Sequence, residues 1–165
     1  MQTDIEASNV FLIQVKNEDY EGDDPDKDKE AKLSILMIVT NHTIERWEEE
    51  KTLENKSKKS VERLTKVMET PKAIEACITD SIMTSDEETI IVSTLGQGLI
   101  TFQVKDLTAE PEILQIGSYL KLAMSDCGRF AVAGGVNAVI VINPDTLQTL
   151  GRIPFIDNPC RDLVI

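Results

Sequence analysis

Short apolar runs separated by turn residues fill the second half of the chain. Between residues 71 and 153 these runs are rich in Val, Ile, Phe and Thr, which favours strands over helices. The pattern predicts eight strands, at 72–77, 80–84, 89–94, 98–104, 112–117, 119–124, 129–133 and 138–142. It therefore predicts an all-β fold made of short antiparallel strands.

The same pattern occurs twice, forty residues apart. Residues 71–107 align with residues 111–147 without a gap. The identical pairs are Pro71 with Pro111, Ser85-Asp86 with Ser125-Asp126, Val92 with Val132, Ile100 with Ile140, and Leu107 with Leu147. Four short strands in about forty residues are the signature of a β-propeller blade. We therefore predict two regular repeats, at 71–110 and 111–153, with Ile100 and Ile140 both buried.

One more, irregular copy is predicted upstream. After an N-terminal tail at 1–8, the segment 9–165 begins with strands at 9–15, 33–40 and 43–48, which an acidic loop at 16–31 and a charged insertion at 49–70 interrupt. The insertion has apolar residues at helical spacing, at Val61, Leu64, Val67 and Met68, which predicts one short helix. The alternative is an extended fourth strand with a long loop. Downstream, 147–153 is predicted as a strand and 160–165 as the first strand of a further blade.

A family resemblance rests on the second repeat. Residues 125–135, Ser-Asp-Cys-Gly-Arg-Phe-Ala-Val-Ala-Gly-Gly, resemble the turn and strand of WD-repeat β-propellers, and Trp47-Glu48 stands where those repeats carry Trp-Asp. No copy contains the family's Gly-His pair. Residues 129–164, which include Asn143-Pro144-Asp145, are also similar to lactonase-like propellers. Either resemblance implies antiparallel four-stranded blades of a partial propeller, packed face to face.

The number of blades and the strand composition add two expectations. Propellers typically close with about 4–8 blades, whereas the sequence accounts for about three, so the chain is expected to be a fragment or to complete a ring with another chain. The runs at 90–92 and 139–142 are apolar at successive positions, which predicts strands that are buried on both faces.

Charge and cysteine content narrow the partners and the compartment. The formal net charge is -12, from 29 Asp plus Glu against 17 Lys plus Arg, which argues against nucleic acid and anionic membrane surfaces as partners. Three widely spaced cysteines without a CxxC motif indicate reduced thiols in an intracellular, cytoplasmic protein. No apolar run approaches the length of a membrane span.

The sequence offers little catalytic chemistry. The single histidine, His42, is predicted in the turn 40–43, away from any serine or cysteine nucleophile motif. Gly96-Gln97-Gly98 and Gly134-Gly135 are predicted as turns that need positive φ, rather than as a phosphate-binding loop. We therefore assign no catalytic, cofactor-binding or metal-binding residue and expect no cofactor.

The acidic loop contains the candidate partner contacts. These are the acidic residues Asp23, Asp24, Asp26, Asp28 and Glu30. Three of them are spaced as in a calcium-binding loop, but Lys29 and Ile35 stand where that loop needs glycine and glutamate. A solvated loop is therefore favoured over a calcium site, and contact with a basic partner is the third reading.

These patterns together favour a non-catalytic protein–protein interaction scaffold, a segment of a WD-repeat-like propeller whose partners are other proteins. One alternative is a lactonase-like propeller enzyme with a metal on the ring axis. Another is a binding module that engages basic partners through the acidic loop. Stoichiometric calcium in the purified assembly would favour the enzyme.

Overall fold

The computed structural model describes residues 7–16, 32–53, 60–70, 74, 76–154, 159–161 and 163. It contains three antiparallel four-stranded sheets. The first sheet comprises β1 (Ala7–Lys16), β2 (Lys32–Thr40), β3 (Ile44–Leu53) and β4 (Ser60–Glu69). The second comprises β5 (Ile78–Met83), β6 (Thr89–Thr94), β7 (Leu99–Gln103) and β8 (Glu112–Gln115), and the third comprises β9 (Tyr119–Met124), β10 (Ala131–Gly135), β11 (Ala138–Asn143) and β12 (Gln148–Pro154).

Each sheet is a meander in which strands adjacent in sequence pair with each other. This arrangement confirms the predicted all-β class and is that of blades in a partial propeller. The described residues form no helix, and so they include none that is long and apolar enough to cross a membrane.

Two apolar clusters hold the three sheets together. We call the side of a sheet that is turned to the next sheet along the chain its forward face, and the opposite side its backward face. The first cluster joins the forward face of the first sheet to the backward face of the second, through Ile35, Met37 and Val39 on one side and Ile90, Val92, Ile100 and Phe102 on the other. The second joins the forward face of the second sheet, with Ile82, Ile91 and Leu99, to the backward face of the third, with Leu122, Ala131, Ala133, Ile140 and Ile142.

The middle sheet shows why its strands are continuously apolar. All six residues of β6 are buried, because alternate side chains of a strand point to opposite faces and both faces of this sheet are covered. Ile100 and Ile140 are 3% and 1% exposed, which confirms the prediction for this pair.

The predicted helix in the insertion is wrong, and the extended alternative is right. β3 runs on to Leu53, and β4 returns antiparallel to it from Ser60. Leu64 and Val67 are 50% and 49% exposed, so the residues at helical spacing are not the buried stripe of a helix. β-branched residues such as Thr65 and Val67 suit the strand that forms instead.

The repeat in the sequence and the sheet in the structure are out of phase by one strand. β8 lies in the predicted second repeat but pairs with β7 of the second sheet. The described residues of the predicted strand 72–77, namely Ile74, Ala76 and Cys77, lie before β5 and outside any strand. The first strand of the second sheet and of the third sheet is therefore the second strand of the corresponding predicted repeat.

The ungapped alignment is also one residue out of register over the first two strands of each sheet. Thr84 and Ser125 donate the equivalent turn hydrogen bonds, to the carbonyls of Thr89 and Phe130, so these turns are 41 residues apart. A one-residue slip moves a side chain to the other face of a sheet. Val92 is accordingly buried on the backward face of its sheet, whereas Val132 pairs with Val141 on the forward face of the third.

Three further expectations need correction. The run 139–142 is buried on one face only, because burial alternates along β11. Gly134 and Gly135 lie within β10 rather than in a turn, and the turn is formed by Val136 and Asn137. The described residues of the predicted strand 160–165, 160, 161 and 163, form no strand.

Candidate functional site

The first strands of the three sheets place one polar side chain each at the same structural position. β1, β5 and β9 all have a register shift near their start, after which come Asn9, Asp80 and Lys121. We call these three residues the first-strand row. A shared bulge re-aims the side chains that follow it, and here it brings one residue from each sheet together.

Asp80 is the centre of the first-strand row. Its Oδ1 accepts hydrogen bonds from Asn9 Nδ2 at 3.1 Å and from the Ser81 backbone N–H at 2.9 Å. Its Oδ2 accepts from the Leu122 backbone N–H at 3.1 Å, and Lys121 Nζ lies 3.9 Å from the same oxygen. One carboxylate therefore ties the first strands of all three sheets together.

A second set of polar contacts crosses between the sheets around Asp80. Asn9 Nδ2 also donates to the Ser81 backbone carbonyl at 3.0 Å and to its hydroxyl at 2.8 Å. Thr79 Oγ1 donates to the Tyr119 carbonyl at 2.7 Å. At the third strands, Arg46 of β3 donates to the carbonyl of Val104, which follows β7, at 3.0 Å. Hydrogen bonds therefore fix the sheet junctions in addition to apolar packing.

Two large apolar faces of the described structure are uncovered. The backward face of the first sheet presents large side chains, with Val10 and Leu12 56% and 63% exposed beside half-buried Leu36, Ile38 and Trp47. Toward its outer strands this face also carries the ion pair of Glu45 with Lys66. The forward face of the third sheet presents mainly smaller ones, with half-buried Val132, Val139 and Val141 beside Gly134, and Ile153 is 61% exposed at its outer strand. Contiguous exposed apolar surface of this kind marks interaction sites.

Cys160 and Leu163 lie against one end of the forward face of the third sheet. The Cys160 backbone N–H donates to the Gly135 carbonyl at 3.0 Å. A Cβ atom at Gly134 would meet the Cys160 side chain and lie 3.1 Å from Leu163. Gly134 therefore permits this close approach, and the valines toward the outer strands stay open.

An open cavity of about 350 Å³ lies where the second and third sheets meet. It is lined by the connection 115–119, by Val136 and Asn137, and by Arg152 of β12. Burial raises the pKa of Tyr119 and the nearby Arg152 opposes this shift. The polar lining consists of amides, hydroxyls and one guanidinium, which supports hydrogen bonding to a ligand but pairs no nucleophile with a base.

Cys127 is the exposed cysteine of the chain. It lies in the turn after β9, where the Arg129 backbone N–H and the Ser125 hydroxyl lower the pKa of its thiol. Cys77 and Cys160 are half-buried, and none of the three cysteines forms a disulfide.

The structure confirms some of the predictions made for single residues, and other such residues lie outside the described part of the chain. His42 is exposed in a turn, as predicted, and Gly96 and Gly98 have φ values of 104° and 113°, which confirms the predicted hairpin turn. The candidate contacts Asp23, Asp24, Asp26, Asp28 and Glu30 lie outside the described residues. No group of three potential metal ligands occurs among the residues that the structure describes.

Sequence reasoning missed the first-strand row. Its members are 71 and 41 residues apart, so an alignment at forty residues never superimposes them. A usable signal was present, because each is a polar residue near the start of an apolar strand.

Compared with known proteins, the chain matches no family model and no curated protein.

Proposed function

We propose that the chain is a non-catalytic protein–protein interaction scaffold built from WD-repeat-like propeller blades, and that it acts in the cytoplasm with other proteins as partners. The uncovered backward face of the first sheet carries this proposal. Its residues Val10 and Leu12 are more than half exposed, while the equivalent side of the second sheet, with Ile90 and Val92, is fully buried by a neighbour. An exposed apolar face whose equivalent in the next sheet is covered supports a role in binding another protein.

The first-strand row favours this proposal over an enzyme with a metal on the ring axis. Asp80 is its single carboxylate, and it already accepts hydrogen bonds from Asn9, Ser81 and Leu122. The equivalent position of the third sheet holds the ammonium group of Lys121, which would repel a metal cation placed in this row. The hydrogen bonds of the first-strand row connect the sheets and leave no carboxylate for a metal.

Isolation of the assembly from its native source tests the proposal. A tagged chain is purified, and the intact complex is weighed by native mass spectrometry and analysed for metal. We expect a second protein in stoichiometric amount and no stoichiometric metal. The matched control is Ile140→Asp, which places a charge in the core and should lose the partner. A chain that carries stoichiometric calcium and no other protein would contradict the scaffold.

A further inference from the structure

One of the two uncovered faces is a backward face and the other is a forward face. The first sheet leaves its backward face open and the third sheet leaves its forward face open. Inside the chain, a forward face meets a backward face twice, once in each apolar cluster. A third contact of the same kind would join the third sheet of one molecule to the first sheet of another.

The shapes of these two faces are complementary. The open face of the first sheet carries large side chains, from Leu12, Leu36 and Trp47, which lie side by side across three paired strands. The open face of the third sheet is lined at its centre by Val132, Val141 and Gly134, with the larger Ile153 only on its outer strand. The junction of the second and third sheets combines Ile91 and Leu99 with Ala131 and Ala133 in the same large-on-small manner. Facing layers of large and small residues interdigitate well.

The ends of the first-strand row are complementary as well. Asn9 uses its amide nitrogen for Asp80 and Ser81, which leaves its Oδ1 as an acceptor without a donor among the described residues. Lys121 has 46% of its side chain exposed and only a 3.9 Å contact with Asp80, so its ammonium group has donors to spare. A Lys121 side chain placed beside Asn9 of another molecule would continue the row.

We propose that a second copy of this chain covers both faces, and that two copies close head to tail into a ring of six sheets. Head-to-tail contacts form closed rings when the rotation between subunits allows it, and six lies within the ~4–8 blades of known propellers. This inference rests on the proposed scaffold function and names one partner of that scaffold.

The area available is sufficient for a stable dimer. A face four strands wide and about five residues long measures roughly 19 by 17 Å at ordinary sheet spacings. Two junctions bury four such faces, on the order of 1,300 Å², and stable complexes bury ~1,200–2,000 Å².

The segment that contains Cys160 and Leu163 must move when the second copy docks. Cys160 donates to the Gly135 carbonyl at the start of the third junction, one residue before the counterpart of Asn41, whose carbonyl accepts from Ile78 at the first junction. By register, Ala7 of the second copy is the equivalent of Ile78, so it would take the place of Cys160. The segment is therefore a competitor for the junction, and its removal should strengthen the dimer.

Sedimentation equilibrium of the purified full chain tests the proposal. We expect a dimer, about twice 18.4 kDa, without larger species. Leu12→Asp on the first sheet and Val141→Asp on the third should each weaken association at least about tenfold, because each buries an unpaired charge within a junction. Ile113→Asp is the matched control, since Ile113 is 55% exposed on the outer strand of the middle sheet, and it should leave the dimer intact.

Mixing the two variants gives the decisive result. The Leu12→Asp chain keeps an intact third sheet and the Val141→Asp chain keeps an intact first sheet, so the mixture should recover a dimer that neither forms alone. Truncation after Pro154 should tighten the dimer severalfold. Circular dichroism confirms that each variant is folded.

Several outcomes would overturn the proposal. They are a monomeric parent chain, open-ended polymers, folded variants that remain dimeric, or a mixture that stays monomeric. A monomer that still holds a different protein in the native complex would refute the second copy and leave the scaffold function standing. A clean dimer without any other protein would support the second copy and would contradict a scaffold for other proteins.

Discussion

Asp80 is the carboxylate on which the cohesion of the three sheets depends most directly. Asp80→Ala removes the acceptor for Asn9 Nδ2 and for the Leu122 backbone N–H, both at 3.1 Å. The side chain of Asp80 is 18% exposed, so water replaces these bonds only in part. Hydrogen bonds to charged groups contribute about 1.5–3 kcal/mol each, and allowing for solvent access we expect a loss of about 2–4 kcal/mol in the free energy of unfolding.

Urea unfolding at neutral pH measures this loss. Trp47, the only tryptophan of the chain, reports the first sheet by fluorescence, and circular dichroism reports all three. With a urea slope of about 1–3 kcal/mol per molar, the midpoint should fall by roughly 1–2 M. The exposed Asp106, whose side chain bonds only within its own turn at Thr108, provides the matched control Asp106→Ala.

A double-mutant cycle shows whether the loss comes from the cross-sheet bond. Asn9→Ala and Asp80→Ala should be less than additive, because they remove the same hydrogen bond. If Asp80→Ala unfolds at the same urea concentration as Asp106→Ala, or if the two changes simply add, Asp80 does not join the sheets and the argument from the first-strand row fails.

Three other changes test neighbouring claims. Ile140→Ala should lower the free energy of unfolding by about 2–5 kcal/mol, because it leaves a cavity between two sheets. Val141→Ala, one residue along the same strand, should lower it by less than half as much in the monomer. Equal losses in thermal melting would show that both faces of the strand are covered. Cys127 should be the first thiol to react with a maleimide. The rate of its labelling should rise at a lower pH than that of an ordinary thiol, because its pKa is lowered. Faster labelling of another cysteine, identified by mass spectrometry, would refute this prediction. The Thr84 hydroxyl and a backbone N–H lower the pKa of Asp86, so Asp86 stabilises the fold above its unfolded pKa and this contribution is lost as pH falls through the lower, folded pKa. Thr84→Val should therefore reduce the difference in stability between pH 7 and pH 3, measured by urea unfolding, and an unchanged difference would contradict the assignment.

The sequence by itself determined the class of the fold and much of its core. Runs such as 89–94 are too short and too rich in β-branched residues for a buried helix, so strands were the expected outcome. Ile100 and Ile140 could be placed in the core because each recurs at the same point of a hairpin. The turn at Gly96 was also predictable, since a tight hairpin needs a residue that tolerates positive φ.

Tertiary structure decided which strands share a sheet and which side of each strand is buried. A repeat read from sequence has no preferred starting strand, so only backbone pairing shows that β8 belongs to the second sheet. An ungapped alignment cannot register the one-residue difference between the hairpin loops, and this slip puts Val92 and Val132 on opposite faces. The charged strands β3 and β4 form because they pair with each other along their length, which a search for apolar periodicity does not detect. The row of Asn9, Asp80 and Lys121 exists only because three separate bulges meet in space, and no local pattern encodes that meeting.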